Sequence, residues 1–500
     1  TRSTWIRSCT TAGCGTCDVA GYRCDVGPQA APGYVGTAAS VIDRDGDGEI
    51  ELAVLARDAA DPFFAAAGWG GVPPALGDLV IIEHPGSPAW SARVVPLPGN
   101  PELLTSGDLD GDARDEVVLR LRSSGADEGD ALLVVYGVDD SVERIDDFDR
   151  LVDAHVIAGQ RTLAVVSETL EGTDRRLTLL SADHEPRLRS LAKLEGGVVP
   201  RSFVTGRFAP SPAGEGPGEV GLAVLGEHPE GDVAVELSTR GSDTFFDAST
   251  RRAAVTPLGL LPAQAGSIRG VALDLDADGI DELVVLGGDD RVRTLRVVAG
   301  VSGPGFAAPE LGPRLAEPYR GPRWPGDGEP VSMPQRRDLD GDGDLDLWVL
   351  TAEEPPRLAA FENLGNGTLD VEGRALSVIP PLQLSVCDDP AGDCAVRIRA
   401  FAAFEGPTDR SRSVSPTAVD VLLVSRQALF LWTLDPFEPA TADARPVVEL
   451  AVVAGGRLPL SPPDGPVFGV VGDIDGDGID DVVAGGRHGI RWLSGLAVIP

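Results

Sequence analysis

A nine-residue acidic loop occurs five times in this 500-residue chain, and each copy runs directly into a short apolar stretch. The copies are DRDGDGEIE from Asp43, DLDGDARDE from Asp108, DLDADGIDE from Asp274, DLDGDGDLD from Asp338 and DIDGDGIDD from Asp473. The stretches that follow, LAVL, VVLR, LVVL, LWVL and VVAG, read as β-strands, and a short apolar or small-residue stretch such as AASVI or VFGVVG precedes each loop. Each loop therefore joins two strands. A chain of this length exceeds one compact core, so it folds either as several domains or as one repetitive architecture, and the repeat decides for the second.

The spacing has a chemical cause. A hard cation such as calcium takes six or more oxygens, and alternate residues of a tightly curled loop can supply them. The expected ligands are Asp43, Asp45, Asp47, Glu49 and Glu51 in the first loop and Asp108, Asp110, Asp112, Arg114 and Glu116 in the second. The third offers Asp274, Asp276, Asp278, Ile280 and Glu282, the fourth Asp338, Asp340, Asp342, Asp344 and Asp346, and the fifth Asp473, Asp475, Asp477, Ile479 and Asp481. Position seven varies freely, as expected if only its carbonyl oxygen is used, whereas position nine is always a carboxylate able to bind in bidentate fashion. Position six is Gly in four loops, where a sharp turn needs a backbone without a Cβ, and Ala113 in the second, which is expected to be weaker. An EF-hand would need Glu at position twelve and flanking helices, but Val54, Leu119, Val285, Val349 and Ala484 stand there, within strands. A nonapeptide solenoid would repeat every nine residues, and these loops lie tens of residues apart. Up to five calcium ions are expected, in structural sites.

Roughly 60 to 70 residues separate successive loops, or about double that where a copy has decayed, which suits a four-stranded propeller blade. Aspartate-free copies start at Leu151, Ser202 and Ile398 and are expected to bind nothing. Five intact and three decayed units give eight blades, or seven if the short unit near 150 to 195 belongs to its neighbour. Radial repetition leaves only short edges, and ring closure asks both chain ends to build one blade. The expected division is a Cys-rich segment 1–33, including Trp5 to Cys9, that completes or covers the last unit, and an all-β propeller over 34–500.

The loops, the strands after them and FENLGNGTLD at Phe361 to Asp370 resemble the FG-GAP/VCBS repeat family, whose repeat also builds integrin α-subunit heads. The resemblance spans nearly all of the chain after about residue 34. It implies a β-propeller in which each loop joins the first two strands of a blade and holds calcium through positions one, three, five, seven and nine.

Composition narrows the function. A formal net charge of −36 repels a phosphate backbone or an anionic bilayer, so no nucleic-acid partner is expected. No run approaches the roughly 18 apolar residues of a membrane span, so no membrane insertion is expected. Gly 62 and Pro 41, without sustained helical periodicity, point to turns and short strands. Cys9, Cys14, Cys17 and Cys24 crowd the N-terminus, and Cys387 and Cys394 flank a DDPAGD turn. Local even groups fit disulfides in an oxidising compartment, with a four-thiolate zinc site as the rival reading, and the N-terminal four allow three pairings. The chain opens at Thr1 with its sole methionine at Met333, as a removed signal peptide would leave it; a chain cut at that point would look the same. Millimolar calcium and disulfides together favour a secreted or cell-surface location, with the periplasm also open, and the Ala, Arg, Gly and Asp bias is associated with GC-rich bacteria.

The five histidines occur singly, without catalytic motifs, so no catalytic residue is assigned. Aromatics lie in two long interruptions, Phe63, Phe64 and Trp69 after Asp61, and Phe306, Tyr319 and Trp324 between Gly303 and Pro330. They suit glycan or protein contact, or burial over the propeller. The leading expectation is an adhesion or recognition module for a protein or glycan. A polysaccharide-lyase-like enzyme and an architectural role are the alternatives, because fold does not choose among them.

Overall fold

The computed structural model describes residues 6–7, 22–25, 29–30, 34–58, 77–84, 91–99, 101–123, 129–137, 139–157, 161–170, 175–181, 189–194, 198–209, 219–228, 233–239, 251–252, 255–260, 268–286, 291–300, 303–314, 335–337, 343–350, 358–369, 398–404, 419–425, 429–437, 449–457, 468–474, 480–486 and 489–495. Every regular element among them is a β-strand.

The strands form consecutive antiparallel sheets whose spatial order follows the chain. The first sheet holds Tyr34–Ile42, Glu51–Asp58, Gly77–Glu83 and Ser91–Pro96, and the second Pro101–Gly107, Glu116–Leu121, Asp130–Val135 and Val142–Phe148. The third holds Arg150–Ile157, Thr162–Glu168, Arg175–Ser181 and Arg189–Leu194. In the fourth, Val199–Ala209, Glu219–Glu227 and Val233–Thr239 are followed by Arg251–Arg252 and Thr256–Leu260, which both pair with the third strand. The fifth holds Arg269–Leu273, Glu282–Leu286, Arg291–Leu295 and Glu310–Arg314. The sixth has Gln335–Arg337, Asp346–Leu350 and Leu358–Phe361, and the seventh Ile398–Phe404, Val419–Ser425, Leu429–Phe437 and Glu449–Arg457. The eighth combines Phe468–Gly472, Asp481–Gly486 and Gly489–Gly495 with Tyr22–Asp25, which pairs along the outer strand from Tyr22↔Gly495 to Asp25↔Trp492. Ile6–Arg7 pairs with Gln29–Ala30.

The second strand in each of the first five sheets is apolar on both faces, because each of these sheets packs between two others. Alternation at period two divides its residues. Leu52 and Val54 turn toward Phe468, Ile474 and Val483 of the eighth sheet, while Ala53 and Leu55 turn toward Val117, Leu119, Leu133 and Val135 of the second. Similar apolar layers join the second sheet to the third, the third to the fourth, the fourth to the fifth and the fifth to the sixth. Gln335–Arg337 contacts Ile398–Phe404, which in turn contacts Phe468–Gly472. This all-β stack of antiparallel sheets, several of them four-stranded, is consistent with a β-propeller.

The segments read as decayed copies form the third, fourth and seventh sheets. Their first strands carry a β-bulge, as do those of the first and second sheets, so the repeat keeps its backbone irregularity after losing its aspartates. In the third sheet only residues 158–161 join the first two strands, too few for an acidic loop. The run from Gly303 does not wholly interrupt the sheets. Gly303–Phe306 makes a hairpin with Val297–Gly300, Glu310–Arg314 is the outer strand of the fifth sheet, and Phe306 is buried edge-on against Phe208 with ring centroids 5.5 Å apart. Phe63, Phe64, Trp69, Tyr319, Trp324 and five of the six cysteines lie outside the described residues; Cys24 lies on the strand Tyr22–Asp25.

Candidate metal centres

All five acidic loops connect the first and second strands of a sheet, in one register. Position nine opens the second strand and faces the residue just before position one: Glu51↔Ile42, Glu116↔Gly107, Glu282↔Leu273, Asp346↔Arg337 and Asp481↔Gly472. Each loop is thus the eight-residue tip of a hairpin, with a carboxylate rooted in the sheet beneath it. All five position-nine carboxylates are buried.

The loops fold on their own side chains. The position-nine carboxylate accepts the position-two N–H in the four loops where both residues are described: Arg44 to Glu51 at 2.7 Å, Leu109 to Glu116 at 2.8 Å, Leu275 to Glu282 at 2.9 Å and Ile474 to Asp481 at 3.0 Å. Position one caps the turn: Asp43 accepts from Gly46 and Gly48, Asp108 from Gly111 and Ala113, and Asp274 from Asp278 and Gly279. Position five accepts the position-seven N–H, from Glu49 to Asp47 at 2.8 Å, from Arg114 to Asp112 at 3.0 Å and from Ile280 to Asp278 at 2.8 Å. Such short side-chain bonds to nearby backbone are what aspartate does best in a turn. The backbone at position six is left-handed at Gly48, Ala113, Gly279 and Gly343. Position four is left-handed as well, at Gly46, Gly111 and Ala277, a second turn that sequence reasoning did not separate from the first.

Three clusters result. Oxygens of Asp43, Asp45 and Glu51 lie within 4.8 Å of one another, as do those of Asp108, Asp110 and Glu116 and those of Asp274, Asp276 and Glu282. These are positions one, three and nine. Position seven contributes side chains that turn elsewhere in the first two loops: Glu49 bonds His84 Nδ1 at 2.9 Å, and Arg114 Nε donates to the Asp45 carbonyl at 3.2 Å. In the fourth loop Asp344 and Asp346 are described, with Asp346 accepting the Asn363 N–H at 2.7 Å, while Asp338, Asp340 and Asp342 lie outside the described residues. In the fifth loop Asp473 and Asp481 are described, and Asp475, Asp477 and Ile479 are not.

The electrostatics suit a cation. Burial, reinforced by the neighbouring aspartates, pushes Glu51, Glu116 and Glu282 up to about 7 each. Burial and then Asp112 raise Asp110, and burial raises Asp278. Asp276 Oδ1 is buried without a hydrogen-bond partner, while its Oδ2 lies 3.6 Å from Arg296 Nη1. A set made only of oxygens, with carboxylates that burial leaves costly to ionise, fits a hard divalent ion better than a thiol- or imidazole-seeking one.

Two neighbours were invisible to sequence spacing. His84 lies 35 residues from its partner Glu49. Position two is a core position, filled by Leu109, Leu275 and Ile474, but in the first loop by Arg44, which is 1% exposed. Arg44 donates to the Tyr136 carbonyl at 2.9 Å and pairs with Asp140. Beside the third loop opens a cavity of about 640 Å³ lined by Thr205, Arg207, Asp281, Arg336 and Asp344 among others.

No protein-family model matches the chain, and no curated protein does. Among solved structures it is similar to the rhamnogalacturonan lyase of Bacillus licheniformis, at 14% identity over 95% of this chain and 74% of that one, with a TM-score of 0.34. It is also similar to the rhamnogalacturonan lyase YesW, at 14% identity over 97% of this chain and 75% of that one, with a TM-score of 0.35. A Lactobacillus plantarum protein matches at 12% identity over 74% of this chain and 92% of that one, with a TM-score of 0.34.

Proposed function

We propose that this chain is an eight-bladed, calcium-loaded β-propeller of FG-GAP/VCBS type that works outside the cytosol as a recognition module for a glycan or a protein. The observation that carries the metal reading is the recurrence of one carboxylate cluster, positions one, three and nine, at the same hairpin of three sheets. Acidic turns that only solubilised a connection would not bury position nine in all five copies. Supporting the ring are the packing of the first sheet against the eighth and the N-terminal strand Tyr22–Asp25 on the eighth sheet's edge. Calcium in this reading is structural: it neutralises the clustered carboxylates and stiffens hairpin tips that flank the binding face. Extracellular calcium modules typically bind at about 10⁻⁴ to 10⁻³ M, which suits a compartment with millimolar calcium.

The cavity beside the third loop is the proposed contact for ligand. Arg207, Asp281, Arg336 and Asp344 line it from three sheets, a set of charged residues suited to a hydroxyl-rich polymer. The deciding experiment is binding of the purified chain to a panel of polysaccharides, in calcium and in chelator, with polymer length followed throughout. Calcium-dependent binding without shortening, weakened by Arg336→Ala, is the expected result. Shortening would replace the reading with an enzyme, and binding to no polymer would remove the glycan and leave a protein partner or an architectural role.

A further inference from the structure

We propose that the first two metal loops bind their ions cooperatively through a clasp made by Asp115, a position-eight residue to which no ligand role falls. The proposal rests on the metal-binding reading of the loops. Asp115 Oδ2 accepts the Asp43 N–H at 2.8 Å, and the Asp115 N–H donates to the Asp43 carbonyl at 2.7 Å. Position one of the first loop, whose carboxylate belongs to the first cluster, is therefore held through both of its backbone groups by the second loop. Arg114 Nε adds a single bond to the carbonyl of position three, Asp45, at 3.2 Å. The two tips touch backbone to backbone: a Cβ added to Gly46 would stand 3.0 Å from the Ala113 carbonyl oxygen.

A second connection runs through position nine. Glu116 Oε1 accepts the Gly137 N–H at 3.3 Å, and the adjacent Tyr136 carbonyl accepts from the Arg44 guanidinium. The Arg44 N–H in turn donates to Glu51, the position-nine carboxylate of the first loop. Two paths of hydrogen bonds thus join one cluster to the next.

The fourth and fifth sheets supply an internal comparison. Asp281, position eight of the third loop, makes the same pair of bonds: its Oδ2 accepts the Arg207 N–H at 2.6 Å and its N–H donates to the Arg207 carbonyl at 3.0 Å. Arg207 stands where an acidic loop would begin, in a sheet that has none. The clasp thus occurs in two of the loops, position eight being Ile50 and Leu345 in two others, and among the described residues Asp115 is the one that uses it to join two clusters. An ion in the second loop orders positions five to nine and hence Asp115; a first loop already fixed at positions one and three loses less freedom when it closes on its own ion. Linkage makes the effect reciprocal.

The test is calcium titration of the full chain by calorimetry, with bound ions counted by native mass spectrometry. Asp110→Asn, which disables the second loop, is expected to remove one ion and to weaken a second site about fivefold or more. Asp45→Asn, which disables the first, is expected to weaken a site by the same factor. Added Asp115→Ala abolishes both secondary losses, Asp115→Asn, which keeps an acceptor oxygen, preserves them, and Asp281→Ala weakens no site beyond its own loop. Loss of one ion with every remaining affinity unchanged, in either single-loop variant, overturns the clasp while leaving metal binding intact, and this arm holds even if Asp115→Ala does not fold. A wild-type chain that takes up no calcium overturns the metal reading itself, a different and separable result.

Discussion

Ala113 occupies a left-handed backbone, with φ at 67°, where the other described copies of position six have glycine. An L-residue there costs about 1 to 2 kcal/mol, partly offset by the greater freedom a glycine would have when unfolded. Ala113→Gly is therefore expected to stabilise the chain by about 0.5 to 1 kcal/mol, read as a raised melting temperature, and an unchanged or lowered one would refute the strain. Arg44 is the other residue out of keeping with its repeat, a buried cation where the other described copies have Leu or Ile, and burial pulls it down to about 10. Replacing a buried charge with a matching apolar residue is often neutral or stabilising, so Arg44→Leu is expected to cost less than about 1 kcal/mol in chemical denaturation, despite losing Asp140. The three position-nine glutamates give a pH signature. Their folded values near 7 stand above the ordinary 4.5, so between those limits the folded, metal-free chain keeps protons that the unfolded chain has released. Stability without metal accordingly falls as pH rises through that window, whereas the stabilisation given by calcium grows, because the ion displaces those protons. Melting curves at pH 5.5 and pH 8, with calcium and with chelator, are expected to diverge at the higher pH; parallel curves would mean that these carboxylates do not meet the ion.

At the scale of the element, the hairpin is where the sequence spoke most clearly. Alternating aspartates followed by an apolar run marked the strands, the connection and the carboxylate at position nine, though not its burial, because each depends on residues adjacent in the chain. Position eight was not legible: Asp115 and Asp281 look like solvent-facing acids until a neighbouring sheet brings Asp43 and Arg207 beside them. His84 and Arg44 were hidden for the same reason, their partners lying on other strands. Glu116 shows how the element and the ion divide their duties. Its carboxylate accepts from Leu109 and Gly137, and it belongs to the second cluster. Glu116→Gln keeps a carbonyl acceptor for one of those donors and removes a charge that is costly to bury. The variant is expected to unfold no earlier than wild type in chelator, yet to gain less from calcium. Equal gains in both chains would exclude Glu116 as a ligand.

For the whole molecule, stacking and edges matter more than any one loop. The sheets of the decayed copies were legible because those copies kept their strands, and so was the place of the N-terminal segment on the last unit; which of its residues form the strand was not, because Tyr22–Asp25 carries no acidic loop and lies far in sequence from its partner Gly489–Gly495. Five divalent ions would bring the formal charge from −36 to −26, and at a tenfold excess over its dissociation constant each contributes about 1.4 kcal/mol by mass action. That gain relieves repulsion at hairpin tips but does nothing for an unpaired strand. Without Tyr22–Asp25 the eighth sheet would end on Gly489–Gly495, whose free N–H and C=O groups form a template for another chain. Deleting residues 1–30 is therefore expected to lower the melting temperature even in saturating calcium and to produce self-association visible by light scattering. Full-length behaviour at the same calcium concentration is the control. If the shortened chain melted as wild type does and stayed monomeric, the N-terminal strand would be dispensable, and the first and eighth sheets would be held together by their shared apolar layer of Leu52, Val54, Phe468 and Val483 alone.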